Sequence, residues 1–116
     1  MKAIVYLKII LATLLFFSCE EEAPVEKSQA VKWFEKAEEA SAFPAQEATA
    51  LDYYSRAINA NPDFRDAYYK RGLHFIKMEH PQRAVVDFTE TIRVDPAYKP
   101  AYLERGKIHL DAGEYT

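Results

Sequence analysis

The sequence has little of what catalytic and metal sites are built from. Its 116 residues contain one cysteine, three glycines and three histidines. A single cysteine cannot form a disulfide within the chain, and the histidines show no paired spacing with a carboxylate or cysteine that would make a metal site. Glycine-rich phosphate loops and nucleophile elbows are also absent from the sequence. We therefore expect no enzymatic activity, no metal and no cofactor.

The chain also lacks an excess of positive charge. Its formal net charge is −3 at pH 7, and it would be −5 without residues 1–18, which contain two lysines and no acid. Nucleic-acid-binding domains carry a basic patch that attracts phosphates. We therefore expect no nucleic-acid partner.

No apolar run is long enough to cross a bilayer. The longest, Ile9 to Phe17, has nine residues, whereas a spanning helix needs ~20 and a secretory signal peptide needs ~7–15. The run ends in Phe16-Phe17-Ser18-Cys19, which resembles a bacterial lipobox, in which the cysteine is lipidated. We predict a signal peptide at 1–18 and a lipid anchor on Cys19. The alternative is a plain signal peptide with an incidental free cysteine.

Residues 19–29 are predicted to be the lipid-anchor cysteine and a polar linker, because the segment is acidic and contains Pro24. Its acidic run, Glu20 to Glu22, resembles a surface-export signal of some Gram-negative groups; the alternative is a solvated spacer. The expected location is the bacterial cell envelope, at the outer membrane, on the periplasmic side or surface-exposed. The membrane partner would be reached through the lipid anchor.

What the sequence does contain is a repeat with a period of 34 residues. When 31–64 is laid over 65–98 and over 99–116, aromatic, small and proline residues fall in shared columns. A fixed period of this size indicates a stacked repeat array, which presents an extended binding surface. The columns are Phe34, Tyr68 and Tyr102; Gly72 and Gly106; Ala50 and Ala84; Tyr54 and Phe88; Ile58 and Ile92; and Pro62 and Pro96.

These columns resemble the tetratricopeptide repeat (TPR) family, in which each repeat is a helix–turn–helix. The resemblance implies an all-α solenoid of antiparallel helix pairs, with TPR 1 at 31–64, TPR 2 at 65–98 and a truncated TPR 3 at 99–116. Three positions depart from the family pattern. Glu38 occupies the glycine position of the first repeat, and Arg71 and Arg105 replace the usual leucine.

Turn and helix signals agree with this register. Asn61-Pro62 and Asp95-Pro96 mark helix boundaries, and we expect helices near 29–43, 46–60, 64–78, 82–94 and 98–112. Glycine inside a helix costs ~1 kcal/mol relative to alanine, so we expect Gly72 to permit a close helix contact, with Ala84 as its partner. Trp33 is expected to cover the exposed end of the first helix pair.

The third repeat stops after the turn Gly113-Glu114-Tyr115. The sequence therefore contains two full repeats and the first helix of a third. Because a capping helix would not usually keep this turn, we expect the sequence to be part of a longer protein. The alternative is a true capping helix that ends at Leu110.

In TPR proteins the first helix of each repeat lines a concave groove, and the resemblance implies a protein or peptide partner on that face. The family's carboxylate clamp is not expected here, since Glu35, Glu39 and Glu104 stand where it needs lysine, asparagine and arginine. An apolar set with two lysines is predicted to seat an apolar helix or an extended peptide. The alternative is that these residues only pack between repeats or against a missing helix. The set is Tyr69, Leu73, Ile76, Lys77, Leu103, Lys107 and Leu110.

The resulting functional expectation is a non-catalytic protein–protein interaction scaffold presented from a membrane lipoprotein. The alternative is that the repeats are the recognition module of a longer enzyme or transport component, whose working domain lies beyond residue 116.

Overall fold

A computed structural model describes the backbone of residues 25–113 and the side chains of residues 28–113. The predicted signal peptide at 1–18, the predicted lipidation site Cys19 and the Glu114-Tyr115 part of the predicted turn lie outside the described residues.

Five α-helices and one short 3-10 helix make up the described part of the chain, joined by brief turns. None of these helices is long and apolar enough to cross a bilayer. The helices are α1 (Val25–Ser41), the 3-10 helix (Pro44–Gln46), α2 (Glu47–Ala60), α3 (Arg65–Lys77), α4 (Pro81–Val94) and α5 (Lys99–Asp111).

The helix boundaries follow the predicted ones within a few residues, with one larger difference in α1. This helix begins at Val25, so residues 25–29 are helical rather than part of the predicted polar linker. Pro24 is the last helix breaker in that region, and nothing after it opposes a helix. At its other end α1 stops at Ser41, because Pro44 disfavours helical geometry at the residue before it.

The turns between repeats are built alike. The side-chain oxygen of Asn61 accepts a hydrogen bond of 3.1 Å from the backbone N–H of Asp63. One repeat later, Asp95 accepts a hydrogen bond of 3.1 Å from the N–H of Ala97 in the same way. These side chains stabilise the turn that connects one repeat to the next. The helix boundaries predicted at Pro62 and Pro96 are therefore confirmed.

Alanines, three aromatic residues and two isoleucines form the core. α1 pairs with α2, α3 pairs with α4, and α5 packs on α4. The small side chains let the helices approach closely, and Tyr54 and Phe88 fill the space that remains within each pair. The fully buried alanines are Ala30, Ala37, Ala50, Ala57, Ala67, Ala84 and Ala101.

The contact at Gly72 differs from the expected one. A Cβ placed on Gly72 would lie 2.8 Å from Cε1 of Phe88, and the three atoms nearest to it all belong to that ring. None of these three atoms belongs to the expected partner Ala84, which is itself fully buried. The Phe88 ring therefore occupies the space that a side chain at position 72 would need.

The turns inside the second and third repeats each contain one residue with a left-handed backbone. Gly113 has φ 69°, and Glu79 in the same repeat column has φ 60°. Glycine adopts this conformation without steric cost, whereas another residue pays ~1–2 kcal/mol. The backbone of the second repeat therefore turns as the third does, although its sequence lacks the glycine.

Candidate peptide-binding face

The structure divides the seven predicted groove residues into two groups. Tyr69, Leu73 and Ile76 are half-buried and pack against the cluster formed by Ala84, Phe88, Ala101 and Ile108. The Tyr69 ring lies 5.8 Å from that of Phe88 and meets the edge of Tyr98 at 5.2 Å. These three side chains therefore contribute to repeat packing and show only part of their surface.

The other four predicted residues are exposed. Leu103 and Leu110, both on α5, have 60% and 64% of their surface exposed. Lys107 lies between them in sequence and donates a hydrogen bond of 2.9 Å to Glu104. Lys77, at the end of α3, pairs with Glu47. The freely accessible apolar surface of the predicted groove is thus concentrated on α5.

A buried ion pair joins α3 to α4 and was not predicted from the sequence. Asp87 is only 1% exposed, and Arg71 donates hydrogen bonds of 2.9 Å and 2.7 Å to its two carboxylate oxygens. Burial raises the pKa of Asp87, while the Arg71 guanidinium opposes that rise. Arg71 also donates to Ser55 of the preceding repeat, at 3.0 Å. The sequence did contain one signal for this ion pair, because Arg71 stands where the family usually has leucine. Its acidic partner could have been sought on the next helix.

The first repeat replaces the glycine–phenylalanine contact with a polar one. Glu38 occupies the glycine position, and its carboxylate accepts a hydrogen bond from the Tyr54 hydroxyl, where the second repeat has Phe88. Lys70 of the second repeat donates to the same carboxylate at 3.0 Å. Burial and the neighbouring Glu38 raise the pKa of Tyr54. The larger side chain at position 38 is accommodated because the opposing ring carries a hydroxyl.

Trp33 stacks on Tyr53 of α2, with ring centroids 5.6 Å apart. The Lys36 ammonium lies 4.7 Å from the Trp33 ring centroid and the Arg56 guanidinium lies 4.9 Å from it. These residues line an open cavity of about 450 Å³. Arg56 is paired with Asp52 at 2.8 Å, so the charge of Arg56 is compensated.

Comparisons with known proteins point to the same fold. No model of a protein family matches the chain. The chain is 42% identical over 53 residues to the UDP-N-acetylglucosamine–peptide N-acetylglucosaminyltransferase of Giardia intestinalis, a match that covers 46% of this chain and 4% of that protein. It is 33% identical over 69 residues to human DnaJ homolog subfamily C member 3, covering 60% of this chain and 14% of that protein. The chain thus spans a small part of these curated relatives.

Two solved structures are similar over most of the chain. MamA is 26% identical, with a TM-score of 0.71, over 75% of this chain and 50% of MamA. The second TPR of Spaghetti (RPAP3), bound to HSP90 peptide SRMEEVD, is 24% identical, with a TM-score of 0.72, over 80% of this chain and 85% of that one. The predicted fold is confirmed: the chain is an all-α, TPR-type solenoid of antiparallel helix pairs.

Proposed function

We propose that this chain is a non-catalytic protein–protein interaction module, which binds an apolar helix or extended peptide on the face formed by the first helices of its repeats. The observation that carries this proposal is the exposure of Leu103 and Leu110 on α5, with Lys107 between them in sequence. Exposed apolar side chains grouped on one face are typical of interaction sites.

The ligand of the similar RPAP3 structure is not proposed for this chain. That protein is bound to an acidic peptide, SRMEEVD, and the likeness to it is one of fold. Here Glu35 and Glu39 are exposed on α1, where they would repel an acidic peptide terminus. The proposed ligand is therefore held by apolar contacts on α3 and α5.

We further propose that the module is presented from a membrane lipoprotein of the bacterial cell envelope, at the outer membrane. This part rests on the sequence alone, from the short apolar run and Cys19. Metabolic labelling with a fatty-acid analogue is expected to mark the wild-type protein and not Cys19→Ala. Equal labelling of both would remove the lipid anchor from the proposal.

A second candidate is the recognition module of a longer enzyme or transport component. It is favoured by the small share of the curated relatives that the chain spans, 4% of the glycosyltransferase and 14% of the DnaJ homologue. In this case the same face would recruit a substrate or partner for a domain elsewhere. The full-length reading frame distinguishes the candidates, since an unrelated domain beyond residue 116 supports the second.

The binding face is tested by selecting peptides from a displayed library against the full chain. Selected peptides are expected to lose affinity at least ~10-fold for the variant Leu103→Asp/Leu110→Asp, because a charge in an apolar contact must be desolvated. Val86→Asp is the matched control, since Val86 lies on α4 and is equally exposed, at 61%. Peptides that bind all three proteins alike, or are lost only with Val86→Asp, would contradict the proposed face.

A further inference from the structure

The junction between the first and second repeats has two ends of different character. Beside the turn that joins the repeats, Ala57 and Ile58 of α2 form one buried cluster with Ala67 and Tyr68 of α3. We refer to these four residues as the apolar end. His74 lies about 10 Å farther along α3 than Ala67, where the junction is polar.

Two ion pairs cross the polar part of the junction, one on each side of His74. Lys70, about one turn before it on α3, pairs with Glu38 of α1 at 3.0 Å. Lys77, about one turn after it, pairs with Glu47 at the start of α2. Positions separated by one turn are neighbours on a helix surface, so His74 lies between the two lysines. We refer to the following set as the polar end: Glu38, Glu47, Tyr54, Lys70, His74 and Lys77.

The imidazole of His74 is buried beside groups that already have partners. Its ring lies 5.5 Å from that of Tyr54, and its Nδ1 has no hydrogen-bond partner among the residues that the structure describes. The Glu38 carboxylate accepts hydrogen bonds from the Tyr54 hydroxyl and from Lys70, and the other carboxylate of the polar end is held by its ion pair. A proton added to His74 would therefore place a third cation where both carboxylates are already engaged.

The charges around His74 do not offset its burial. Burial lowers the pKa of His74 and is the largest effect, while the two carboxylates of the polar end raise the pKa and the two lysines lower it. α4 also packs on α3, and its buried carboxylate, Asp87, is bound by Arg71. The closed junction therefore resists a proton that a hydrated imidazole would accept.

We propose that this junction is a pH-sensitive hinge, in which protonation of His74 opens the polar end while the apolar end stays closed. The polar end is the weaker of the two, because its ion pairs are partly exposed and such pairs hold a contact weakly. The apolar end is buried, and none of its side chains titrates between pH 5 and 8. The first repeat would thus swing about the apolar end, and water would reach His74.

The direction and size of the effect follow from linkage. In the open junction the pKa of His74 is near its ordinary ~6.5, and in the closed junction it is lower. Above pH 6.5 both states are neutral, so the ratio of open to closed junction is constant. As the pH falls below 6.5 that ratio rises by up to ~10-fold per pH unit, until the pH reaches the pKa of the closed junction.

The hinge is tested by NMR relaxation dispersion, which detects minor states that exchange on the μs–ms timescale. The isotopically labelled full chain is measured at pH 7.5 and 5.5. The population of the open state is expected to rise at pH 5.5, by up to ~10-fold, with exchange broadening at the polar end and none at the apolar end. His74→Leu is expected to abolish this rise, because leucine carries no proton.

His80→Gln is the matched control, because His80 is an exposed histidine in the turn after α3, and this variant should keep the wild-type rise. Exchange that grows equally at both ends would indicate unfolding of the whole array and would overturn the hinge. Exchange that does not depend on pH, or that persists in His74→Leu, would also overturn it. The result does not depend on peptide binding, so failure of the proposed interaction face would leave it unchanged.

Discussion

At position 72 the absence of a side chain sets how closely α3 and α4 approach. The Phe88 ring occupies the space that a Cβ would need, and the ring is fully buried. The first repeat resolves the same problem differently, with Glu38 hydrogen-bonded to Tyr54. Each repeat thus matches the residue at its glycine position to the ring that faces it.

The first prediction concerns Gly72→Ala. Helix propensity favours alanine by ~1 kcal/mol, but overpacking a core contact costs ~1–3 kcal/mol, and a Cβ at 2.8 Å from a buried ring requires that ring to move. We expect a net loss in the free energy of unfolding, measured by urea denaturation. Asn59→Ala, exposed on α2, is expected to gain stability in the same assay. A gain at both positions would show that the Phe88 contact is loose.

The second prediction concerns the pH dependence of stability through His74. This residue is buried on α3, beside the Tyr54 ring at 5.5 Å, and its Nδ1 has no hydrogen-bond partner. Burial lowers its pKa. Among the smaller effects, Glu47 and Glu38 raise the pKa, whereas Lys77 and Lys70 lower it further. The folded state therefore favours the neutral imidazole.

Because the folded pKa lies below the ordinary ~6.5, the contribution of His74 is fully present above pH 6.5. As the pH falls below 6.5 the unfolded chain gains a proton that the folded chain resists, so stability decreases, by at most ~1.4 kcal/mol per pH unit. Urea midpoints at pH 7.5 and 5.5 are expected to differ less in His74→Leu than in the wild type. His80→Gln, changed at an exposed histidine, should keep the wild-type difference. An unchanged difference in His74→Leu would refute the assignment.

At the scale of the helix, the α3–α4 pair is held by apolar packing and by one buried ion pair. Arg71 is the more exposed partner, with 21% of its side chain accessible, while Asp87 has 2%. Removing the arginine alone would leave a carboxylate in a position that water barely reaches. Buried pairs of this kind are costly to break, yet they can often be replaced by apolar residues together.

The third prediction follows from that asymmetry. Arg71→Leu is expected to lower the free energy of unfolding by ~3–5 kcal/mol, as measured by thermal or urea denaturation. Arg71→Leu/Asp87→Leu should recover most of this loss, because no buried charge remains. The exposed pair of Arg56 and Asp52 is the control, and Arg56→Leu should change stability by less than ~1 kcal/mol. Equal effects at both arginines would mean that the buried pair contributes no more than a surface one.

The helices and their order could be predicted from the sequence because periodic residues mark them. The 34-residue columns located both helix pairs, and Pro62 and Pro96 located the turns between repeats. The partners of polar side chains were harder to predict, since Arg71 and Asp87 lie 16 residues apart on different helices. No local pattern shows that the two meet. The early start of α1 was missed because acidic residues suit both a linker and the first turn of a helix.

The sequence predicted which helices carry the candidate face, but it did not predict how exposed each of its residues is. Tyr69, Leu73 and Ile76 lie on the first helix of their repeat, as the register requires, but neighbouring helices cover part of each. Leu103 and Leu110 share the register of Tyr69 and Ile76 and are far more exposed. Periodicity identifies the side of a helix that a residue occupies, whereas its accessibility depends on which elements pack there.

At the scale of the whole molecule, the apolar residues serve both stability and binding: some pack between repeats, and the others stay exposed. Repeat arrays are stabilised by contacts between neighbouring units, and here one cluster joins α1 and α2 to α3 while another joins α3, α4 and α5. Charged pairs such as Lys70 with Glu38 also cross between repeats, although exposed pairs contribute at most ~1 kcal/mol each. The apolar residues left over from packing are those available to a partner.

The most direct test of the interaction-module account is to map a bound peptide on the protein by NMR. Amide chemical shifts of the isotopically labelled full chain would be followed while a library-selected peptide is added. The account predicts that the shifts concentrate on α3 and α5, around Leu73, Leu103 and Leu110. Shifts confined to α2 and the outer side of α4 around Val86 would contradict it.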